Sequence, residues 1–248
     1  MIEKPTDNII SLSELIEQRL RKQQEIDYYK ETLIKLERKI RELSKEVDIT
    51  SLIIDMIETE RVLNIFYVDR DPKIAAEMHC DKHVCKMVIE YPQLMSTAHR
   101  VLDGDQYYGL TKNGRKIKRW KLEDKVMEDN LMKASHVNHP SNLWVRESKT
   151  NYKWLYSLWI NLLKEYTHRY GKEHACEGYI NFLKDLPTNI PHNEFSDPPQ
   201  CMPNDCKTND TVSAYQTYYI VKKSNFATWK LRQQPEWFND RQTYLNQR

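Results

Sequence analysis

Glycine is scarce, with five residues in 248. Sandwiches and barrels need more of it at their turns, so the shortage argues for helices, as does a charged fraction of 30%. No apolar run approaches the length of a membrane span. The start, "MIEKPTDNIISLSEL", lacks a basic stretch followed by an apolar block, so it does not read as a secretory signal. Five cysteines form an odd set without regular spacing, which argues against a disulfide framework and for a reducing, cytoplasmic setting. There is no internal repeat and no low-complexity tract. Net charge is only +2, but it is unevenly spread: residues 1–61 carry 11 Lys+Arg against 14 Asp+Glu, and the surplus of cations lies beyond them. That surplus is compatible with a polyanionic partner.

What is present divides into two parts, 1–61 and 62–248. In the first, Ile26, Tyr29, Leu33, Leu36, Ile40, Leu43 and Val47 recur at alternating steps of three and four. This is the seam of a coiled coil, and it predicts a helical segment that joins copies of the chain through residues 10–47. The plainer alternative is a helix lying on its own domain. "DITS" at 48–51 is expected to break the pattern before a short helix to about residue 60.

The second part opens with "VLNIFYV" at 62–68, an apolar, β-rich run expected to form a buried strand. Asp71-Pro72 then signals a helix start, with the helix expected to reach about residue 102 and to bend at Pro92. Asn113-Gly114 signals a hairpin whose second arm carries Arg115, Lys116, Lys118, Arg119 and Lys121. One long helix is expected over 141–170, stopped by Gly171, then a shorter one over 174–186. Residues 187–210, rich in Pro, Asn and Asp, read as an ordered surface loop, and a last helix as 210–229. The fold class is therefore mainly α with a minor β element, behind a coiled-coil-like N-terminal helix.

Within the first long helix of that part, His79, His83, Lys86, Glu90 and Gln93 follow at steps of four, three, four and three, which places them on one face. Three readings compete. The stripe is a solvated charged face, the usual fate of charges. Or His79 and His83 with a cysteine hold zinc, although Cys80 and Cys85 point elsewhere and Cys201 and Cys206 are loosely spaced. Or Glu90 is an acid/base group in a polar cleft, with His83 beside it. Zinc is the weakest of the three, so no metal or cofactor enters the expectation.

The motifs "NIFYVDRDP", "HCDKHVCKMVIEYPQLMSTAHR", "HVNHPSNLWVRESKTNYKWL" and "FATWKLRQQPEWF" resemble those of a family of phage and bacterial proteins. More distantly, their order is similar to that of the pyrimidine dimer DNA glycosylase family, of the endonuclease V type. There a helix His is followed, after six residues, by a catalytic Glu and Leu-Pro; here His83 is followed by Glu90-Tyr91-Pro92. His139-Pro140 ahead of Trp144, and Trp229, Lys230 and Arg232 near the end, match in order too. The resemblance implies a base-excising glycosylase or related nuclease, with Glu90 as its carboxylate. Two departures matter. The family's nucleophile is an N-terminal amine, whereas more than sixty residues precede Asn64 here; and Ile89 and Gln93 stand where the family has arginines. Water activated by Glu90 is then the favoured nucleophile, with Lys82 or Lys86 as a substitute amine the other route.

Such an enzyme needs cations for phosphates and aromatic rings for unstacked bases. The candidates are Lys82, Arg115, Lys116, Lys118, Arg119, Lys222, Lys223, Lys230 and Arg232 for phosphate; Trp120, Tyr107 and Tyr108 for stacking; His139 at the site's edge; and Glu90, His83 and Lys86 for the chemistry. DNA is the expected partner. A non-catalytic nucleic-acid-binding protein and a nucleotide-processing enzyme are the alternatives.

Overall fold

The computed structural model describes residues 12–60, 63–111 and 113–239, with side chains of the first helix described for 12, 14–40 and 43. The chain divides into two units, Met1–Arg61 and Val62–Arg248. The described part of the first is one helix, α1, Leu12–Glu60. It runs on through 48–51, where a break was expected. Ile26, Tyr29, Leu33, Leu36, Ile40 and Leu43 all lie exposed along it, each at least 47% accessible. Its polar faces carry local ion pairs such as Lys22–Glu25. Residues 10 and 11 of the expected helical segment, and the side chain of Val47 in its seam, lie outside the described residues.

In the second unit the described elements are mainly α, with a single two-stranded sheet. The elements are α2 (Pro72–Met78), α3 (Asp81–Asp103), β1 (Asp105–Leu110), β2 (Lys116–Lys121), α4 (Lys125–Asn130), α5 (Pro140–Glu147), α6 (Lys149–Tyr170), α7 (Ile180–Leu183), α8 (Thr211–Tyr218) and α9 (Glu236–Asn239). A 3-10 turn, Ala175–Tyr179, leads into α7, and a π-helical turn, Tyr219–Lys223, extends α8. α6 packs against α2 and α3. Its buried stripe of Tyr152, Leu155, Leu158, Trp159, Leu162 and Leu163 forms the centre of the core.

The apolar run at 63–68 is buried and extended, as its composition demands, yet it is not a strand of any sheet. Side chains satisfy its backbone instead. Phe66 N donates to Tyr91 Oη at 3.1 Å, Ser141 Oγ donates to Leu63 O at 2.7 Å, and Gln216 Nε2 donates to Val68 O at 3.1 Å. The chain thus threads the core as a rod held by helices.

The helix expected over 72–102 is two helices. Asp71 caps α2, its carboxylate accepting from Lys73 N and Ile74 N. His79 and Cys80 then leave helical geometry, with ψ of 134° and 159°. The carbonyls freed there have remote donors: Arg169 Nη2 for Glu77 O, Trp229 Nε1 for Met78 O and Arg169 Nη1 for His79 O. Pro92 sits inside α3 without ending it. A proline there removes the donor that Val88 O, four residues back, would use. Trp159 Nε1 supplies it from α6 at 3.0 Å.

The helix expected over 141–170 is likewise split, at Ser148 (φ −151°, ψ 141°). Loop residues hold this break: Lys149 N donates to Pro191 O and Asn193 Nδ2 to Glu147 O. Gly171 ends α6 in the left-handed conformation, φ 69°, as expected. The hairpin turn at Asn113-Gly114 is present too, with Gly114 at φ 74°.

Candidate functional site

The stripe His83, Lys86, Glu90, Gln93 does share a face of α3, but His79 does not belong to it. His79 ends α2, and its neutral ring joins a core chain of hydrogen bonds: Nδ1–H donates to Ala75 O at 2.6 Å, while Nε2 accepts from Tyr91 Oη at 3.3 Å. Burial pushes its pKa down to about 4, a shift that the bond to Ala75 O only partly offsets.

Nor is the stripe a solvated one. His83 is buried. Its ring stacks on Phe66, with centroids 4.0 Å apart, and meets Tyr219 and Phe226 edge-on. Its Nδ1 lies 2.6 Å from Tyr219 Oη. Burial holds its pKa well below the usual histidine range, and the neighbouring His79, Lys223, Lys86 and Lys82 push the same way. The expectation that His83 stands open beside substrate is corrected: its imidazole is an element of the aromatic core. The zinc pairing loses its geometry as well, because the two rings sit on different elements with nitrogens engaged. Among the described residues no group of three or more His, Cys, Asp or Glu side chains is arranged to hold a metal ion.

One turn on, the face reaches the surface's edge. Lys86 Nζ and Glu90 Oε1 lie 3.2 Å apart, both side chains about three-quarters buried. Around them stand Lys82, whose Nζ sits 4.4 Å over the Phe226 ring, and Lys223, 4.8 Å over Tyr218. Lys223 arrives from the π-helical turn after α8 and is itself buried. The result is a half-sheltered carboxylate paired with Lys86, with Lys82 and Lys223 near His83 on the same face. Beyond Glu90, Gln93 Nε2 donates to Lys133 O at 2.7 Å and Thr97 Oγ1 accepts from Ser135 N at 3.2 Å, which binds the 133–139 loop to this helix. His139 at the loop's end caps α5, its Nδ1 accepting from Ser141 N.

The other candidates scatter. Arg232 is tied to Glu165 through both Nε and Nη2, and it lies 3.7 Å from Glu77. It belongs to an ion network with Arg169 and Asp81, so the phosphate role expected for it has no free guanidinium behind it. A cleft of about 720 Å³ that Arg232 helps to line, with Ile74, Met78 and Trp237, does not include Glu90. Lys230 is exposed, with Nζ 5.4 Å over Tyr170. Lys222 pairs with Asp205 at 2.8 Å. Arg115, Lys116, Lys118, Arg119 and Trp120 lie on or beside the second strand of the hairpin, which begins just past the end of α3. Thirteen residues of helix separate Glu90 from that end, about 20 Å.

Lys223 is the neighbour of Glu90's face that spacing alone does not place there. It stands more than 130 residues away in the chain, and only the packing of the α8 end against α3 brings it in. No described helix is long and apolar enough to cross a membrane. No family model, curated protein or solved structure matches the chain.

Proposed function

We propose that the chain is a DNA-acting enzyme, a base-excising glycosylase in which Glu90 is the catalytic carboxylate. One observation carries the reading: a carboxylate about three-quarters buried and salt-bridged to Lys86, on a face that also gathers Lys82 and Lys223. Burial alone would favour the protonated acid; a lysine at 3.2 Å favours the carboxylate a base needs. In hydrolysis, water forms a bond to the sugar C1′ as the bond from C1′ to the base breaks. Glu90 takes the water's proton and returns it to the departing base. Lys82, the exposed lysine of the three, binds a flanking phosphate. The test is single-turnover base release from a panel of damaged and modified duplexes, with borohydride present in parallel. Release without a trapped adduct supports activated water; a trapped adduct that Lys86→Met abolishes would replace water with the lysine amine. Binding to DNA with no release from any substrate would leave a non-catalytic DNA-binding protein.

The same reading gives α1 the task of joining two copies. The exposed seam offers isoleucine at 26 and 40, alternating with leucine at 36 and 43, a pattern that suits two strands. Sedimentation of the full chain should give twice its 29.8 kDa. Leu33→Glu with Leu36→Glu should return it to a monomer. A wild-type monomer at micromolar concentration would end the idea.

A further inference from the structure

The strand register divides the hairpin into two unlike faces. Residues directly opposite in an antiparallel pair point to the same side, and successive residues alternate. The pairs Tyr108–Lys118, Leu110–Lys116 and Gln106–Trp120 therefore share one face, and Tyr107–Arg119 and Asp105–Lys121 share the other. On the second face Ile117 and Arg119 are half-buried, while Tyr107 stays 46% exposed. A Cβ added at Gly109 would lie 3.4 Å from Arg119 Cγ and 3.6 Å from the Tyr107 ring, so both fold over that glycine. On the first face Trp120 is half-buried at the base and the outer side chains stand open: Lys116 Nζ sits 4.3 Å over the Tyr108 ring, Tyr108 is 57% exposed and Leu110 72%.

A lone two-stranded hairpin is marginal in water. This one has an anchored base. Arg100, fully buried, donates from Nη1 to Trp120 O at 3.2 Å. Gly104 lets β1 leave α3 against Lys121: a Cβ there would meet Arg100 O at 2.5 Å and Lys121 O at 3.0 Å. The described residues of the hairpin, 105–111 and 113–121, carry one acid and five cations.

We infer that this hairpin is a nucleic-acid-binding ribbon, and that it seats the Tyr108, Leu110, Lys116, Lys118 face in a groove of duplex DNA. The inference rests on the DNA-acting reading above and names the surface and the form of its partner. A duplex groove admits a two-stranded ribbon. Lysines on this face meet the phosphates that line it. Tyr108 and Leu110 supply the flat and apolar surfaces that lie against bases and wedge between them. A purely acidic peptide would use the lysines and leave the open tyrosine and leucine without a counterpart.

The experiment is fluorescence anisotropy of a labelled 20-base-pair duplex against the full chain, across a range of salt. Each phosphate contact adds about 0.9 to the slope of log affinity against log salt. Lys116→Ala with Lys118→Ala should flatten that slope by about 2, and Arg119→Ala with Lys121→Ala by less than 1. Tyr108→Ala should weaken binding roughly 5- to 150-fold, the range for a lost stacking platform, and Tyr107→Ala by less than 3-fold. Circular dichroism melting checks that each variant folds. Equal effects from the two faces, or a Tyr107 effect as large as that of Tyr108, overturns the face assignment. Base release by the wild type together with unchanged binding by every ribbon variant overturns the ribbon alone. Binding lost as expected, with no base released from any substrate, overturns the enzyme reading and leaves the ribbon standing.

Discussion

Glu90→Gln should slow base release by at least ~10²-fold, the scale of a lost acid/base group, and should leave duplex affinity within a factor of two. The glutamine keeps the length and planarity of the side chain and removes its charge. Lys86 then loses its ion-pair partner, so the surface becomes slightly more positive, not less. A fall in release together with a tenfold fall in affinity would mean that Glu90 organises the lysines and does not act on water. Lys86→Met sharpens the test. Without the lysine the carboxylate loses the ion pair at 3.2 Å that holds it in place. Base release should therefore fall in Lys86→Met, but by less than in Glu90→Gln. Rates equal to wild type in the Gln variant would remove Glu90 from the chemistry.

How far these features could be read without coordinates depends on where their partners lie in the chain. The Asp71-Pro72 start, the Asn113-Gly114 turn and the Gly171 stop each depend on dihedrals and caps within a few residues, and each is in place. The breaks at His79–Cys80 and at Ser148 are not local events. They persist because Arg169, Trp229, Pro191 and Asn193, far along the chain, take the backbone groups that a continuous helix would have paired internally. The run at 63–68 has the composition of a strand, but its backbone partners are tyrosine, serine and glutamine side chains. Periodicity sees only what a residue buries, not what its amide meets. The candidate site divides the same way. Lys86 and Glu90 are four apart on one helix, so their pairing was legible. The burial of His83 was not, because Phe66 and the distant pair Tyr219 and Phe226 seal it from two separate segments.

Arg100→Leu should lower the unfolding free energy by about 3–5 kcal/mol, the cost of removing one partner from a buried ion pair. Arg100 is fully buried and all five of its N–H groups are used. Nε donates to Met132 O, Nη1 to Trp120 O and the Glu128 carboxylate, and Nη2 to Glu128 O and Leu131 O. One side chain of α3 thereby holds the base of the ribbon, the end of α4 and the start of the loop that reaches His139. Leucine fills much of the volume but leaves four carbonyls without this donor, each a cost of about 1–3 kcal/mol where water cannot enter. Arg100→Lys keeps the charge and offers three donors from a single atom, so it should recover less than half of the loss. The carboxylate adds a pH signature. Burial raises the Glu128 pKa, but hydrogen bonds from Lys133, Leu122 N and Arg100, with the charge of Arg100, bring it down to about 2 from 4.5. Its contribution is thus complete above pH 4.5 and is lost as pH falls towards 2. Urea unfolding between pH 7 and 3 should show a stability loss on acidification that is smaller in Arg100→Leu than in wild type, since the variant has less of that shift to lose. A lysine variant as stable as wild type would show that charge alone, and not the five-donor fork, secures the ribbon to the core.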